Sequence, residues 1–131
     1  MPRKILIVED AQLVLEGYHA YLDAHVQVLT ATTLLAALDV FEANPDVELI
    51  AVDGLFPHDV GESDKPEQGM PCCGVKFILN IDYAGPVIAN SSEDSLNEKM
   101  RAAGATHVCQ KGPPLLRLIC QLLSIPSVVK G

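Results

Sequence analysis

The chain has no excess of basic charge. Nine Lys and Arg stand against 17 Asp and Glu, a net charge of −8 over 131 residues. Nonspecific binding to nucleic acid or to an anionic membrane surface needs a basic face, and these nine cations are scattered. No apolar run approaches the length of a bilayer span. The start, Met1-Pro2-Arg3-Lys4 followed by four apolar residues and two acids, is too short for a signal peptide, so a cytoplasmic location is expected. The four cysteines (Cys72, Cys73, Cys109, Cys120) have no zinc spacing, and reduced thiols suit that location. The four histidines, His19, His25, His58 and His107, have no partner at catalytic spacing. No internal repeat divides the chain. No DNA-binding element is expected after Leu123, because Ser124 to Gly131 is too short to form one. Length and an ordinary globular composition predict one domain with a real core.

What is present is a series of apolar runs that end in chemically useful residues. Residues 4 to 8 read as a first strand running into Glu9 and Asp10. A helix from about Ala11 to Ala24 follows, with Leu13, Val14, Gly17, Tyr18, Tyr21 and Leu22 at helical spacing. Val26 to Thr30 is a second strand. A second helix, capped by Thr32 or Thr33, runs through Leu34, Leu35, Leu38 and Phe41 to Asn44-Pro45. Glu48 to Asp53 is a third strand, closed by a carboxylate. Val75 to Ile81 reads as a third helix. Val87-Ile88-Ala89 is a fourth strand ending near Ser91, and a helix starting at about Ser92 carries Glu93 and Asp94 in its first turn, where the dipole favours acids. Thr106 to Gln110 is a fifth strand, ending at Lys111. Pro113 or Pro114 opens a last helix to Leu123. Five βα units with apolar strands predict an α/β fold: a parallel sheet covered by helices on both faces.

In such a sheet the C-terminal strand ends form one edge, and ligands bind there. That edge would collect acid, acid, hydroxyl and ammonium. Carboxylates suit a divalent cation, and a hydroxyl with a lysine suits phosphate oxygens. Each residue alone has a plainer role: Asp10 as a helix cap, Asp53 closing a turn with Gly54, Ser91 as a cap, Lys111 as a solvated amine. Four of them on a shared edge are hard to explain as independent caps.

The arrangement resembles the receiver domain of bacterial two-component response regulators, over nearly the whole of residues 1–131. The resemblance rests on Glu9-Asp10, then Asp53 after 43 residues, Ser91 after 38 and Lys111 after 20, together with Pro86-Val87-Ile88 and Ala103-Gly104-Ala105. It implies a five-stranded, flavodoxin-like sheet of order 2-1-3-4-5. It implies that Asp53 accepts a phosphoryl group, with Ser91 and Lys111 on its oxygens. It implies Mg²⁺, or Mn²⁺, held by Glu9, Asp10, Asp53 and the backbone carbonyl of Leu55. The donor partner would be a histidine kinase or a histidine phosphotransfer protein, with a further downstream protein reading the phosphorylated state. Direct nucleic-acid and membrane contact are not expected, nor is an enzyme in the usual sense, beyond self-catalysed phosphorylation and dephosphorylation.

Three features depart from the family pattern. Lys111 precedes Gly112, where the family has a proline joined through a cis peptide. Val108 occupies the position of the usual aromatic switch residue. The loop from Gly54 to Gly74 is extended by about a dozen residues and has no periodicity. His58, Asp59, Glu62, Asp64, Cys72 and Cys73 within it lack a paired metal-binding spacing, which favours a solvated, mobile loop that lids or flanks the site. These departures leave one serious alternative function, a degenerate receiver that binds partners without phosphorylation. An Asp-nucleophile phosphatase usually has a second acid two residues on, where Leu55 stands here. A flavin-binding module would need a phosphate cradle where Glu9 and Asp10 stand, and those acids would repel a phosphate.

Overall fold

Five apolar runs become five parallel strands in this computed structural model, which describes residues 3–126. Met1 and Pro2 at the start, and residues 127–131 of the C-terminal stretch, lie outside the described residues. The elements alternate strictly. They are β1 (Lys4–Val8), α1 (Gln12–Leu22), β2 (Gln27–Ala31), α2 (Leu34–Ala43), β3 (Ile50–Val52), α3 (Cys73–Leu79), β4 (Val87–Ala89), α4 (Asp94–Ala103), β5 (His107–Val108) and α5 (Pro113–Leu123). The sheet order is β2-β1-β3-β4-β5, the flavodoxin-like order expected from the resemblance. Among the described residues, no helix is long and apolar enough to cross a membrane.

Alternation along the strands builds two cores. Leu6, Val8, Ile50, Val52, Val87 and Ala89 face α2, α3 and α4, while Ile5, Ile7, Leu49, Ala51 and Ile88 face α1 and α5. Burial on both faces explains why these strands read as continuous apolar runs. Phe56, at 0% exposure, anchors the start of the long loop in the first core, and Cys72 and Cys73 anchor its end there. The two thiols are core residues, and burial pushes that of Cys73 up.

Local signals place most of the helix ends. The Thr33 hydroxyl caps α2 by accepting from the Ala36 amide at 3.1 Å. Gly104, at φ +130°, ends α4 in a conformation that suits glycine. Several expectations shift, among them the start of α4, which is at Asp94 with Glu93 as its N-cap rather than near Ser92, and the length of β3, which is Ile50–Val52 rather than Glu48 to Asp53. α3 starts at Cys73, two residues earlier than the apolar pattern suggests. β5 pairs only with β4 and is shorter than its apolar run. The buried stripe of α1 is Leu15, Tyr18 and Leu22, while Leu13 is 82% exposed. α1 carries more apolar residues than its buried stripe needs. The surplus, Leu13, Val14, Gly17 and Tyr21, lines an apolar groove against Gly112, Pro113 and Leu116.

Candidate functional site

The register delivers the site. Val8 lies beside Val52, and Val52 beside Ala89. Each ladder runs one residue further through backbone bonds: Glu9 to Ala31 at 3.0 Å, Asp53 to Val8 at 2.9 Å and Asn90 to Val52 at 2.9 Å. Glu9, Asp53 and Asn90 are thereby fixed at the same edge with sheet-like rigidity, and Asp10, Ser91 and Lys111 follow close behind.

A cavity of about 210 Å³ opens at this edge, lined by Glu9, Asp10, Asp53, Leu55, Ser91 and Lys111 among others. All six residues expected from the sequence therefore come together. Glu9 and Asp53 are buried, at 2% and 6% exposure, and Asp10 is at the exposed mouth. Lys111 Nζ sits 2.7 Å from Glu9 Oε1 and 3.0 Å from Asp53 Oδ2. Burial opposes charge on Lys111, but its contacts with Glu9 and Asp53 outweigh it and hold the ammonium above its ordinary value. The second oxygens are held by the backbone. Ala11 N–H donates to Glu9 Oε2 at 3.1 Å, and Gly54 N–H donates to Asp53 Oδ1 at 2.7 Å.

The donor set fits a divalent cation. Ligand oxygens of Glu9, Asp10 and Asp53 all lie within 4.8 Å of one another. Glu9 Oε1 is buried and, despite the nearby ammonium, accepts no well-directed hydrogen bond. Desolvation and the neighbouring Glu9 carboxylate together raise Asp10 above the usual 3.8. Three crowded acids with one lysine are a site in want of positive charge.

That crowding has a measurable consequence. A carboxyl with a raised folded-state pKa binds its proton more tightly when folded. The stability it contributes is present below the unfolded value and is lost as pH rises through the folded one. Metal-free wild type is therefore expected to lose stability from acidic to neutral pH relative to Asp10→Asn. The difference should be at most about 1 kcal/mol, because Asp10 is exposed and solvent screens it. Urea denaturation across pH, with and without Mg²⁺, checks this. Parallel curves for the two proteins would show that Asp10 is not under electrostatic tension.

Ser91 is buried and doubly clamped. Its N–H donates to Asn97 Oδ1 at 2.8 Å, and its carbonyl accepts from Asn97 Nδ2 at 3.0 Å. Its hydroxyl oxygen accepts from the Glu93 amide at 3.1 Å, immediately before α4. A hydroxyl has one donor and two acceptor positions, so the proton of Ser91 remains available to an oxygen in the cavity.

A polar network behind Lys111 was not visible in the sequence. Gly112 N–H donates to the Tyr18 hydroxyl at 3.1 Å, Tyr18 bonds Asn90 Oδ1 at 3.4 Å, and Asn90 Nδ2 donates to the Cys109 carbonyl at 2.9 Å. It ties α1, the end of β4 and the β5–α5 loop together around the lysine. A polar residue directly after an apolar strand was the one available signal for Asn90. Among the described residues there is no cis peptide bond, so Lys111–Gly112 is trans. Gly112 takes φ +84°, ψ −140°, a conformation open to glycine but hardly to other residues. This trans turn stands where the resemblance implied a cis-proline turn. Val108 is 37% exposed and does not line the cavity. The histidines also lie outside it, three of them occupied elsewhere: His19 with Asp23, His58 with Glu62 and His107 with Thr106.

No family model matches the sequence, and no curated protein matches it. Solved structures do. The BeF3-activated N-terminal receiver domain of Klebsiella pneumoniae RstA is 22% identical, with a TM-score of 0.69 over 93% of this chain and 97% of its own. The N-terminal domain of a response regulator/sensory box/GGDEF protein from Carboxydothermus hydrogenoformans is 23% identical, with a TM-score of 0.66 over 93% and 91%. A two-component response regulator from Clostridium difficile is 15% identical, with a TM-score of 0.71 over 93% and 96%. The chain has the fold of response-regulator receiver domains.

Proposed function

We propose that the chain is the phosphoryl-accepting receiver of a two-component or phosphorelay system, with Asp53 as acceptor. The observation that carries this reading is the position of Lys111, 3.0 Å from Asp53 and 2.7 Å from Glu9, in a cavity that Asp10 and Ser91 also line. An Asp53 oxygen attacks phosphorus, the bond from phosphorus to the donor atom breaks, and its electron pair leaves with the donor, giving an aspartyl phosphate. Such transfer depends on alignment and charge neutralisation more than on proton chemistry. Asp53 is buried on a rigid strand end, and Gly54 N–H fixes one of its oxygens. Lys111 supplies one positive charge to the phosphoryl oxygens. Mg²⁺ or Mn²⁺, held by Glu9, Asp10, Asp53 and the Leu55 carbonyl, would supply more. Donors would be a histidine kinase, a histidine phosphotransfer protein or a small acyl phosphate, with the acidic protein working in the cytoplasm. Its output would be altered affinity for a partner protein, not turnover of a metabolite.

The switch runs through Ser91. Its proton is donated to a phosphoryl oxygen, and its oxygen already holds the Glu93 amide, so a pull on Ser91 reaches the start of α4 without any swing of Val108. Beryllofluoride with Mg²⁺ should therefore shift amide resonances from Asn90 to Asp94 and in the first turn of α4. Ser91→Ala should lose most of the shifts beyond the immediate site. A full pattern in Ser91→Ala, or no change outside the acidic cluster in wild type, would refute this route.

A further inference from the structure

From His58 to Pro71 every residue of the extended loop is exposed except one, Asp64, which is half-buried. Asp64 lines the same cavity as Glu9, Asp10, Asp53 and Lys111. Its charge also acts on Asp10, in the same direction as Glu9. The loop that brings it there is moored. Phe56 is in the core, and the carbonyls of Pro57 and His58 accept the Leu34 and Leu35 amides of α2 at 2.9 and 3.1 Å. Turns follow: Val60 N–H caps onto Asp59 at 2.7 Å, Gly61 takes φ +83°, and Lys65 N–H donates to the Ser63 hydroxyl at 3.1 Å, directly beside Asp64. Asp64 also lines a neighbouring cavity of about 440 Å³ with Lys65 and Lys76, and on its acidic-edge side its charge is repelled by Asp10 unless a cation lies between.

We propose that Asp64 is an additional cation-positioning residue, by which the extended loop closes the divalent-cation site on the Asp10 side. Asp64 is not among the carboxylates within direct ligating reach of one another, so it acts through a cation-bound water. Mg²⁺ keeps several of its waters, which gives such a carboxylate a partner. This rests on the receiver reading of the cation site and adds a residue to it.

The test is Mn²⁺ titration followed by electron paramagnetic resonance of the free ion at fixed ionic strength. It uses wild type, Asp64→Asn, Asp10→Asn and Glu67→Gln. Glu67 is an exposed acid on the same loop and controls for net charge. Loss of an outer-shell partner typically weakens metal binding tenfold or more, so Asp64→Asn should raise the Mn²⁺ Kd about tenfold. Glu67→Gln should change it less than about twofold, because an exposed charge that does not line the acidic cavity is screened. Hydrogen exchange in residues 58–70 should slow when Mn²⁺ is added to wild type and not to Asp64→Asn. If Asp64→Asn matches Glu67→Gln while Asp10→Asn loses the ion, the Asp64 inference is wrong and the cation site stands. If wild type does not bind Mn²⁺, both fall.

Discussion

Lys111→Met should destabilise the metal-free protein by about 3 kcal/mol at neutral pH. Breaking a buried ion pair from one side typically costs about 3–5 kcal/mol, because the remaining charge stays buried without a partner. Here the change leaves two carboxylates, Glu9 at 2% exposure and Asp53 at 6%. Among the described residues, no other Lys or Arg lines the cavity. The lower end of the range applies because the lysine side chain is itself 26% exposed. The ammonium is held above its ordinary 10.5, so its contribution is complete at neutral pH and would be lost only as pH rises through the still higher folded value. Added Mg²⁺ should restore part of the lost stability, since a cation among the same oxygens replaces the missing charge. Urea midpoints for both proteins, with and without Mg²⁺, measure both effects. A Lys111→Met protein as stable as wild type would mean that the carboxylates are solvated and the site is open.

Gly74→Ala should cost about 3 kcal/mol and displace Asp53. A Cβ at position 74 would overlap the Asp53 carbonyl oxygen and lie 2.8 Å from Met100 Sδ and 3.0 Å from Gly54 Cα. The Gly74 amide also bonds the Gly54 carbonyl at 3.1 Å, so α3 docks directly on the backbone that carries the acceptor. Overpacking of this kind typically costs about 1–3 kcal/mol, and the upper end applies where the obstacle is backbone. Gly17→Ala is the matched control. It lies within α1 with nothing within 4 Å of the added carbon, and should stabilise by about 0.5–1 kcal/mol through helix propensity. Thermal denaturation of both variants separates the effects. If Gly74→Ala is as stable as wild type, the close approach of α3 to Asp53 is not real.

The acid-bearing edge was legible because buried parallel strands are apolar throughout, so a carboxylate at the end of such a run stands out. Glu9, Asp10 and Asp53 stand out on that signal, and Ser91 and Lys111 as the polar residues that follow the fourth and fifth strands. The helices were legible in number and order but less so in facing. α1 has apolar residues on more than one stripe, and periodicity alone did not say that Leu15 is buried rather than Leu13. Asn97 was hidden because an Asn inside a helix reads as surface, whereas here it satisfies both backbone groups of Ser91. Asp64 was hidden for a different reason. It lies in a loop without periodicity, and only the mooring of Phe56 and the turns after it decide which acid faces inward. At Gly112 the sequence showed glycine directly after Lys111 but not its conformation, a trans turn at positive φ with a bond to Tyr18.

Asp53 is expected to take a phosphoryl group in a reaction that needs a divalent cation. Intact-mass analysis after incubation with a small acyl phosphate donor tests it most directly, with Mg²⁺ and with a chelator, in wild type and Asp53→Asn. Wild type with Mg²⁺ should gain one phosphoryl group, and wild type with chelator and Asp53→Asn should gain none. An unmodified wild type under these conditions, and with candidate histidine kinases, would contradict it and point to an interaction module that works without phosphorylation.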